Sequence, residues 1–381
     1  MGHAAMNASR YDDKILGIEL LRFASALAVL IFHYQHFAYV GTHLPPDFDR
    51  AAQPLYAWLK PFYDGGYYGV QVFWCISGFI FYWKYAGRIA ERGVSGYRFF
   101  VLRFSRLYPL HFVTLLFMAG MQMLYHARNY SSFVYGNNDL YHFALQLGMA
   151  SNWGLRAGNS FNAPIWSISI EVLVYAVFFA SLRFISGSFA FMGAVVLAAT
   201  LIQVQGLSAH AFFPCVAFFY LGCMAAWVYK WQRQSRGART IATTGALALA
   251  AGALAACRYP GAQTRYILEC LAPAAVFLCV EHVRPSERIA RWLGPAGNMT
   301  YSSYLLHLPL QIAVVTICSY AGWTFPFYQP GSLLTFLAVT LFVSYWSYRL
   351  FEMPLQTLVR GYLLRARSPA APDFSKHDIA T

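Results

Sequence analysis

The sequence has 381 residues, of which 58% are hydrophobic and 11% are charged, and its mean hydropathy is +0.44. Soluble domains carry about 25% charged residues, so this composition excludes a soluble protein and indicates an integral membrane protein. The formal net charge is +13. Because Lys and Arg collect on the cytoplasmic side of membrane proteins and contact anionic lipids there, the excess does not indicate a nucleic-acid partner.

Apolar runs recur along the whole sequence. A transmembrane helix needs about 20 predominantly apolar residues. The runs that meet or approach this length are 15–38, 68–86, 107–125, 164–183, 189–205, 211–229, 241–256, 266–282, 299–319 and 333–351, with a shorter one at 139–150. The count is therefore ten or eleven.

The distribution of basic residues decides between these counts. If 139–150 does not cross, 21 of the 28 Lys and Arg residues lie on the side of the N-terminus and 6 on the other, with Arg22 inside the membrane. This asymmetry follows the positive-inside rule. We therefore predict an all-α bundle of about ten transmembrane helices with both termini in the cytoplasm. The predicted organisation is a cytoplasmic N-terminus at 1–14, a membrane domain at 15–355 and a basic cytoplasmic tail, partly disordered, at 356–381.

The first span carries charged and ionisable residues, which are costly inside a bilayer and are retained where they have a partner or a function. Arg22 and His33 are eleven residues apart, so they lie on one helix face about 16 Å apart along the axis. Glu19 lies one turn from Arg22 on nearly the same stripe. Two interpretations stay open: a Glu19–Arg22 pair with His33 as an interfacial anchor, or a functional polar line across the membrane.

Later spans add polar residues that a lipid-facing surface would not tolerate. The third span begins with a basic segment that contains Arg98, Arg103 and Arg106 at its cytoplasmic end. The fourth span, "NAPIWSISIEVLVY", puts Glu171 about two turns below the external surface, with Ser167 and Ser169 above it. By its depth, His33 is a candidate partner for Glu171.

The ninth span, "YSSYLLHLPL", places His307 near the middle of the membrane. Each of these residues alone could be an ordinary packing residue. Together they describe a polar shaft that begins at a basic cytoplasmic mouth and ends beside His33 and Glu171. The seven cysteines have no metal-ligand spacing, and we expect no metal site.

At this point the sequence resembles a known family. The segments "LLRFASALAVLIFH", "GVQVFWCISGFIF", "RFSRLYPL", "NAPIWSISIE", "YSSYLLHLPL" and "FEMP" occur in the order found in the membrane-bound acyltransferase-3 family, over residues 15 to 355. That family comprises multi-spanning O-acyltransferases that modify surface polysaccharides, lipopolysaccharide O-chains, Nod factors and macrolides. The resemblance implies acyl-CoA, most often acetyl-CoA, as a cytoplasmic co-substrate and a sugar hydroxyl as acceptor at the outer face.

The resemblance also implies residue roles. The family's arginine and histidine of the first helix fall on Arg22 and His33, its third-helix arginines on Arg103 and Arg106, its "WSLSxE" glutamate on Glu171, and the histidine of its "YLLH" segment on His307. Two positions differ from many members: Gln71 stands where an acid is common, and Val172 where a second glutamate is common. Glu171 is then the one carboxylate that can be placed near His33.

The expected mechanism follows from acyl chemistry. His33 is the expected general base for the acceptor hydroxyl, with a covalent acyl-histidine as the alternative, and Glu171 would orient its imidazole. Arg22 would pair with Glu19 or contact the donor.

Binding residues and membrane location complete these expectations. The CoA phosphates are expected to bind Arg98, Arg103 and Arg106. Asn162 and Trp166 are a weak assignment for acceptor binding. Glu19, His307, Ser167 and Ser169 are expected to line the shaft or support it. No cofactor is expected to be permanently bound, and the expected location is a bacterial inner membrane.

Two other classes compete with this interpretation. A secondary transporter or flippase for a glycolipid or organic anion would also carry buried charges, but it usually shows repeats and broken helices, which are not apparent in the sequence. A receptor or sensor would explain the aromatic outer loops without requiring His33 and Glu171.

Overall fold

The protein is described here by a computed structural model, which covers residues 15–365 except 260 and 262. Within these residues helices form most of the chain, and no β-strand occurs beyond an isolated bridge between Val40 and His43. The predicted all-α class is therefore confirmed.

Fourteen α-helices follow one another in the described chain. They are α1 (Leu16–His33), α2 (Tyr56–Gly65), α3 (Gly69–Ala90), α4 (Gly96–Asn129), α5 (Leu140–Leu147), α6 (Ile165–Phe184), α7 (Phe189–Val204), α8 (Phe212–Gln232), α9 (Arg236–Ala256), α10 (Thr264–His282), α11 (Glu287–Asn298), α12 (Thr300–Ala321), α13 (Pro330–Ser347) and α14 (Met353–Arg365). Short 3-10 helices follow α1 (Tyr34–Ala38) and precede α3 (Gly66–Tyr68), and a π-helical turn joins α13 to α14 (Tyr348–Glu352).

Each of the ten predicted spans coincides with one long helix. Seven helical segments in the described residues are long and apolar enough to cross a membrane, and they contain α1, α4, α6, α8, α9, α12 and α13. The other three predicted spans are helical as α3, α7 and α10. The protein is thus a multi-pass helical membrane protein, while the total of ten spans and their orientation stay predictions.

The predicted domain boundaries at the two ends of the chain can be compared with the structure only in part. Helix α14 continues the chain in regular structure from Met353 to Arg365, beyond the predicted domain boundary at 355. Residues 1–14 and 366–381, which contain the predicted N-terminal segment and most of the predicted tail, lie outside the described residues.

Serine residues begin several of the long helices. The Ser95 hydroxyl accepts a hydrogen bond from the Arg98 N–H at the start of α4, and Ser188 and Ser235 do the same at α7 and α9. These bonds satisfy backbone donors that have no partner within the first helical turn. The cap of α4 fixes the start of the helix that carries Arg103 and Arg106.

Helix α1 lies in the middle of the bundle, held by glycines of the surrounding helices. Gly69 of α3 approaches the Ser25 carbonyl so closely that an added Cβ would lie 2.7 Å from its oxygen, and Gly297 of α11 lies directly against Glu19. A Cβ at Gly69 would push the α1 backbone away, and a Cβ at Gly297 would displace the Glu19 side chain. The glycines therefore fix the position of the helix that carries Arg22 and His33.

Candidate functional site

The first charged residues along α1 form an ion pair. The Arg22 guanidinium donates to the Glu19 carboxylate, with an Nη1–Oε2 distance of 3.3 Å, and both side chains are almost buried. Each charge needs the other at this depth, because an unpaired buried ion carries a large desolvation cost. The predicted Glu19–Arg22 pair is therefore present.

Arg22 also lines a cavity in the half of the bundle nearest the start of α1. The cavity has a volume of about 130 Å³. We call it the arginine cavity, and its polar lining residues are Arg22, Arg103, Arg106, Ser77, Ser167, Glu171, Tyr175, Thr300, Tyr301 and Tyr304. Five of the residues predicted from sequence thus come together: Arg22, Arg103, Arg106, Ser167 and Glu171.

Arg103 is fixed in the wall of the arginine cavity. Its Nη2 donates to the Tyr85 hydroxyl at 2.8 Å, and its guanidinium lies over the Phe81 ring at 4.7 Å. Stacking on an aromatic face and a hydrogen bond orient a guanidinium without neutralising it. The Arg103 guanidinium is therefore held in the wall of the arginine cavity, which Glu171 also lines.

Arg98 lies elsewhere. It is part of the first turn of α4, is partly buried, and does not line the arginine cavity. Its predicted role in donor binding can apply only outside this cavity.

Glu171 interacts with the arginine cavity and not with His33. Its interactions are with Ser77, Tyr175 and the charges of Arg103 and Arg106. One carboxylate oxygen, Oε1, is buried without a hydrogen-bond partner among the described residues. The expected contact between Glu171 and His33 is absent from the described structure, because depth below the surface does not determine which neighbour a helix face meets.

Three histidines meet at the other end of α1. The ring centroids of His33 and His307 are 4.9 Å apart, and those of His33 and His36 are 5.0 Å apart. His36 follows α1 in the 3-10 turn Tyr34–Ala38, and His307 belongs to α12. We call these residues the histidine cluster. Within the described chain no group of three or more His, Cys, Asp or Glu side chains is arranged to hold a metal ion.

Backbone contacts determine which nitrogens of the cluster are free. His33 Nδ1 lies 2.9 Å from the Val29 carbonyl oxygen, and His307 Nδ1 lies 3.3 Å from the Ser303 carbonyl oxygen. A carbonyl oxygen only accepts, so each Nδ1 carries the hydrogen and each Nε2 carries a lone pair. His33 therefore has the tautomer that a general base requires.

Two further nitrogens of the cluster are buried without a partner among the described residues: His307 Nε2 and His36 Nδ1. His307 is fully buried, and His36 is 4% exposed. Buried polar atoms normally have a hydrogen-bond partner. These open nitrogens around His33 indicate that the cluster receives a polar ligand or water.

Tyr304 connects the arginine cavity with the histidine cluster. It lines the cavity, exchanges a 2.8 Å hydrogen bond with the Ser167 hydroxyl, and its ring centroid lies 6.1 Å from that of His307. Polar side chains therefore continue from Arg22 at one end of α1 to His33 at the other.

Three predicted residues, Asn162, Trp166 and Ser169, make packing or hydrogen-bond contacts inside the bundle. Asn162 is fully buried and donates to the Thr114 hydroxyl and the Leu305 carbonyl, both at 3.0 Å, and Trp166 packs edge-on against Trp74 at 5.8 Å. Asn162 and Trp166 therefore contribute to packing, while Asn162 Oδ1 has no hydrogen-bond partner among the described residues, and their weak assignment to acceptor binding stays a prediction.

Ser169 has a similar structural role. Its hydroxyl accepts from the Asn152 N–H at 3.0 Å and so anchors the loop before α6.

Sequence reasoning missed His36 and Gln311. Gln311 donates to the His33 carbonyl oxygen at 2.8 Å and so ties α12 to the end of α1. His36 could have been found, because a position three residues after His33 lies on the same face of a helix. No sequence signal marks Gln311, whose contact depends on how α12 packs.

Comparison with known proteins agrees with this arrangement. The model of the acyltransferase-3 family, described as an acyltransferase domain, matches residues 15–349. Searches among curated proteins and among solved structures gave no match. The family match covers most of the chain and includes the arginine cavity and the histidine cluster. The chain belongs to the acyltransferase-3 family and is a membrane acyltransferase.

Proposed function

We propose that the protein is an acyl-CoA-dependent O-acyltransferase that moves an acyl group, most simply acetyl, to a hydroxyl of a glycan or glycolipid. The donor enters from the arginine cavity, on the cytoplasmic side of a bacterial inner membrane, and the acceptor reaches the histidine cluster from the outer face. The observation that carries the proposal is His33, whose free Nε2 lies at the end of a polar path from three arginines.

Acyl transfer at His33 requires only the thioester and the acceptor hydroxyl as reactants. His33 Nε2 removes the proton of the acceptor hydroxyl as the oxygen attacks the thioester carbonyl. The new C–O bond forms, the C–S bond breaks, and the imidazolium returns its proton to the CoA sulfur. The products are the ester and free CoA thiol. In the covalent alternative, His33 Nε2 attacks the thioester carbonyl, the C–S bond breaks and CoA leaves as the thiolate; the acceptor oxygen then takes the acyl group from His33, and its proton passes to the thiolate.

The charge of the arginine cavity supports the donor assignment. Arg22, Arg103 and Arg106 line it together with one carboxylate, Glu171, and Arg22 is paired with Glu19. Guanidinium groups bind phosphates through paired N–H donors. A cavity of about 130 Å³ suits a narrow pantetheine chain better than a nucleotide, so we assign the thioester arm to the cavity and the phosphates to the basic segment of α4 that carries Arg98, Arg103 and Arg106.

His33→Gln tests this proposal, since glutamine keeps a polar group but removes the base. Membranes containing the protein are supplied with radiolabelled acetyl-CoA, and label on glycan is measured. Loss of a general base reduces rates by about 10²–10⁴-fold, so we expect label on glycan with the wild type and nearly none with the variant. His126→Gln, at an exposed position of α4, is the matched control and should transfer normally.

The location of the label separates the alternatives. Base-labile label retained on wild-type protein supports the acyl-histidine route, whereas label only on glycan supports general-base catalysis. If the wild type transfers no label but moves a glycolipid across the membrane, the acyltransferase proposal fails for this donor and the transporter becomes the better account.

A further inference from the structure

Above the histidine cluster lies a second group of polar side chains that the proposed reaction does not use. The Tyr39 and Tyr135 rings meet the His36 ring edge-on, with centroid distances of 5.3 and 5.9 Å. Tyr135 also interacts electrostatically with Arg156, in the loop between α5 and α6. We call His36, Tyr39, Tyr135 and Arg156 the outer chamber.

Arg156 is partly buried, whereas Arg128 and Arg258 on the same side of the bundle are exposed. Arg50 pairs with Asp64 at 3.0 Å, and Arg265 pairs with Glu269 at 3.2 Å. Arg156 forms no ion pair with any carboxylate in the described chain, and its side-chain hydrogen bond goes to the neutral amide oxygen of Asn159. Its positive charge is therefore not neutralised by the protein.

The lack of a carboxylate partner is more costly for Arg156 because its side chain is partly buried. Arg156 is partly buried, and burial lowers the pKa of its guanidinium. Removing a charge from water is unfavourable unless an opposite charge or strong hydrogen bonds compensate. Arg156 is therefore a partly desolvated charge that interacts with Tyr135.

The loop that carries Arg156 is fixed in place. The His142 ring bridges two loops: Nδ1 bonds to the Asp139 carboxylate at 2.9 Å, and Nε2 accepts from the Ala157 N–H at 3.2 Å. Ala157 is the residue after Arg156. The backbone beside Arg156 is thus held in place, and the guanidinium is oriented by its hydrogen bond to Asn159.

We propose that the acceptor carries an anionic group, a carboxylate or a phosphate, which binds Arg156 while the hydroxyl to be acylated lies at His33. The inference rests on the proposed function and specifies its substrate class. Ring contacts join Tyr135, His36 and His33, and Tyr135 interacts electrostatically with Arg156. A guanidinium recognises either anion through charge-assisted hydrogen bonds, and the bound anion would supply the counter-charge that the protein lacks.

The test uses the glycans and glycolipids already present in membranes that contain the full-length protein. These membranes are incubated with radiolabelled acetyl-CoA, and the labelled acceptors are extracted and passed over an anion exchanger. We expect the label in the retained, anionic fraction. Arg156→Gln should raise the KM for extracted acceptor about tenfold or more with a smaller effect on kcat, because a lost charge-assisted hydrogen bond weakens binding by at least that factor.

Two further variants sharpen the test. Arg156→Lys keeps the charge and should restore part of the affinity. Arg128→Gln changes an exposed arginine at the end of α4, whose side chain bonds to the Ser319 carbonyl, and should leave the KM unchanged. A structural role for Arg156 predicts a loss of folded protein instead, which size-exclusion chromatography detects.

Chemical treatment of the retained fraction identifies the anion. Carbodiimide coupling removes retention by a carboxylate, and mild acid hydrolysis removes retention by a glycosyl phosphate; either result supports the inference. Label found wholly in the unretained, neutral fraction overturns it while leaving the proposed function intact. No transfer of label to any acceptor by the wild type contradicts both.

Discussion

The Glu19–Arg22 pair shows how one charged residue depends on another inside the bundle. We predict that Glu19→Gln and Arg22→Gln each destabilise the protein, because each leaves the partner charge buried and unpaired, at a cost of about 3–5 kcal/mol. Thermal unfolding of the purified protein in detergent measures the effect.

The double variant provides the control for this prediction. With both charges gone, no unpaired ion remains, so the double variant should be more stable than at least one single variant. Equal unfolding temperatures for Glu19→Gln and the wild type would show that the pair does not stabilise the fold and that Arg22 does not need Glu19.

The variant Asn162→Ala distinguishes a packing role of Asn162 from its expected role in acceptor binding. Asn162→Ala removes donors to Thr114 and Leu305 and leaves a buried carbonyl without its partner, which costs about 1–3 kcal/mol. We expect a lower unfolding temperature and an unchanged KM for acceptor, measured with the folded fraction. A raised KM with unchanged stability would instead support the expected role of Asn162 in acceptor binding.

At the residue scale, the sequence predicted contacts within a helix better than contacts between helices. Helical periodicity placed Glu19, Arg22 and His33 on one face, and the structure agrees. It did not predict that Glu171 faces Arg103 and Arg106, because that contact depends on the rotation and packing of α6. Arg156 had no sequence signal, since its significance comes from the absence of a carboxylate nearby in the described fold.

At the element scale, α3 and α8 pack through two reciprocal glycines. A Cβ added to Gly78 would lie 2.7 Å from the Phe219 carbonyl carbon, and one added to Gly222 would lie 2.8 Å from the Cys75 carbonyl carbon. We predict that Gly78→Ala and Gly222→Ala each destabilise the protein by about 1–3 kcal/mol, because the obstacle is backbone and the helices must separate.

Gly120 of α4 is the matched control for this prediction. A Cβ added there meets nothing within 4 Å in the described structure, and alanine favours a helix over glycine by about 0.5–1 kcal/mol. Gly120→Ala should therefore leave the unfolding temperature unchanged or raise it. Equal effects of Gly78→Ala and Gly120→Ala in unfolding experiments would contradict the close packing of α3 and α8.

The long helices were predictable from the sequence because the apolar runs are long and are separated by polar segments. The short run at 139–150 becomes α5, of eight residues, whose rise of about 12 Å is too small for a bilayer core of about 30 Å. This agrees with its interpretation as part of an external loop. The π-helical turn Tyr348–Glu352 was not predicted, because its hydrogen-bond pattern has no sequence period of its own.

At the scale of the whole molecule, the two parts of the site lie toward opposite ends of α1. Arg22 lies in the second turn of this helix and His33 is its last residue, about 16 Å apart along the axis. The arginine cavity and the histidine cluster are joined through Tyr304. The proposed function therefore makes one central claim, that donor and acceptor approach from opposite sides of the membrane.

A sided assay tests this claim most directly. The protein is reconstituted into sealed vesicles in one known orientation, with labelled acetyl-CoA on the side of the arginine cavity and extracted acceptor on the side of the histidine cluster. We predict transfer across the bilayer in this arrangement, and none when acetyl-CoA is supplied only on the opposite side. Transfer only when both substrates share one side would contradict the path through the bundle and the account built on it.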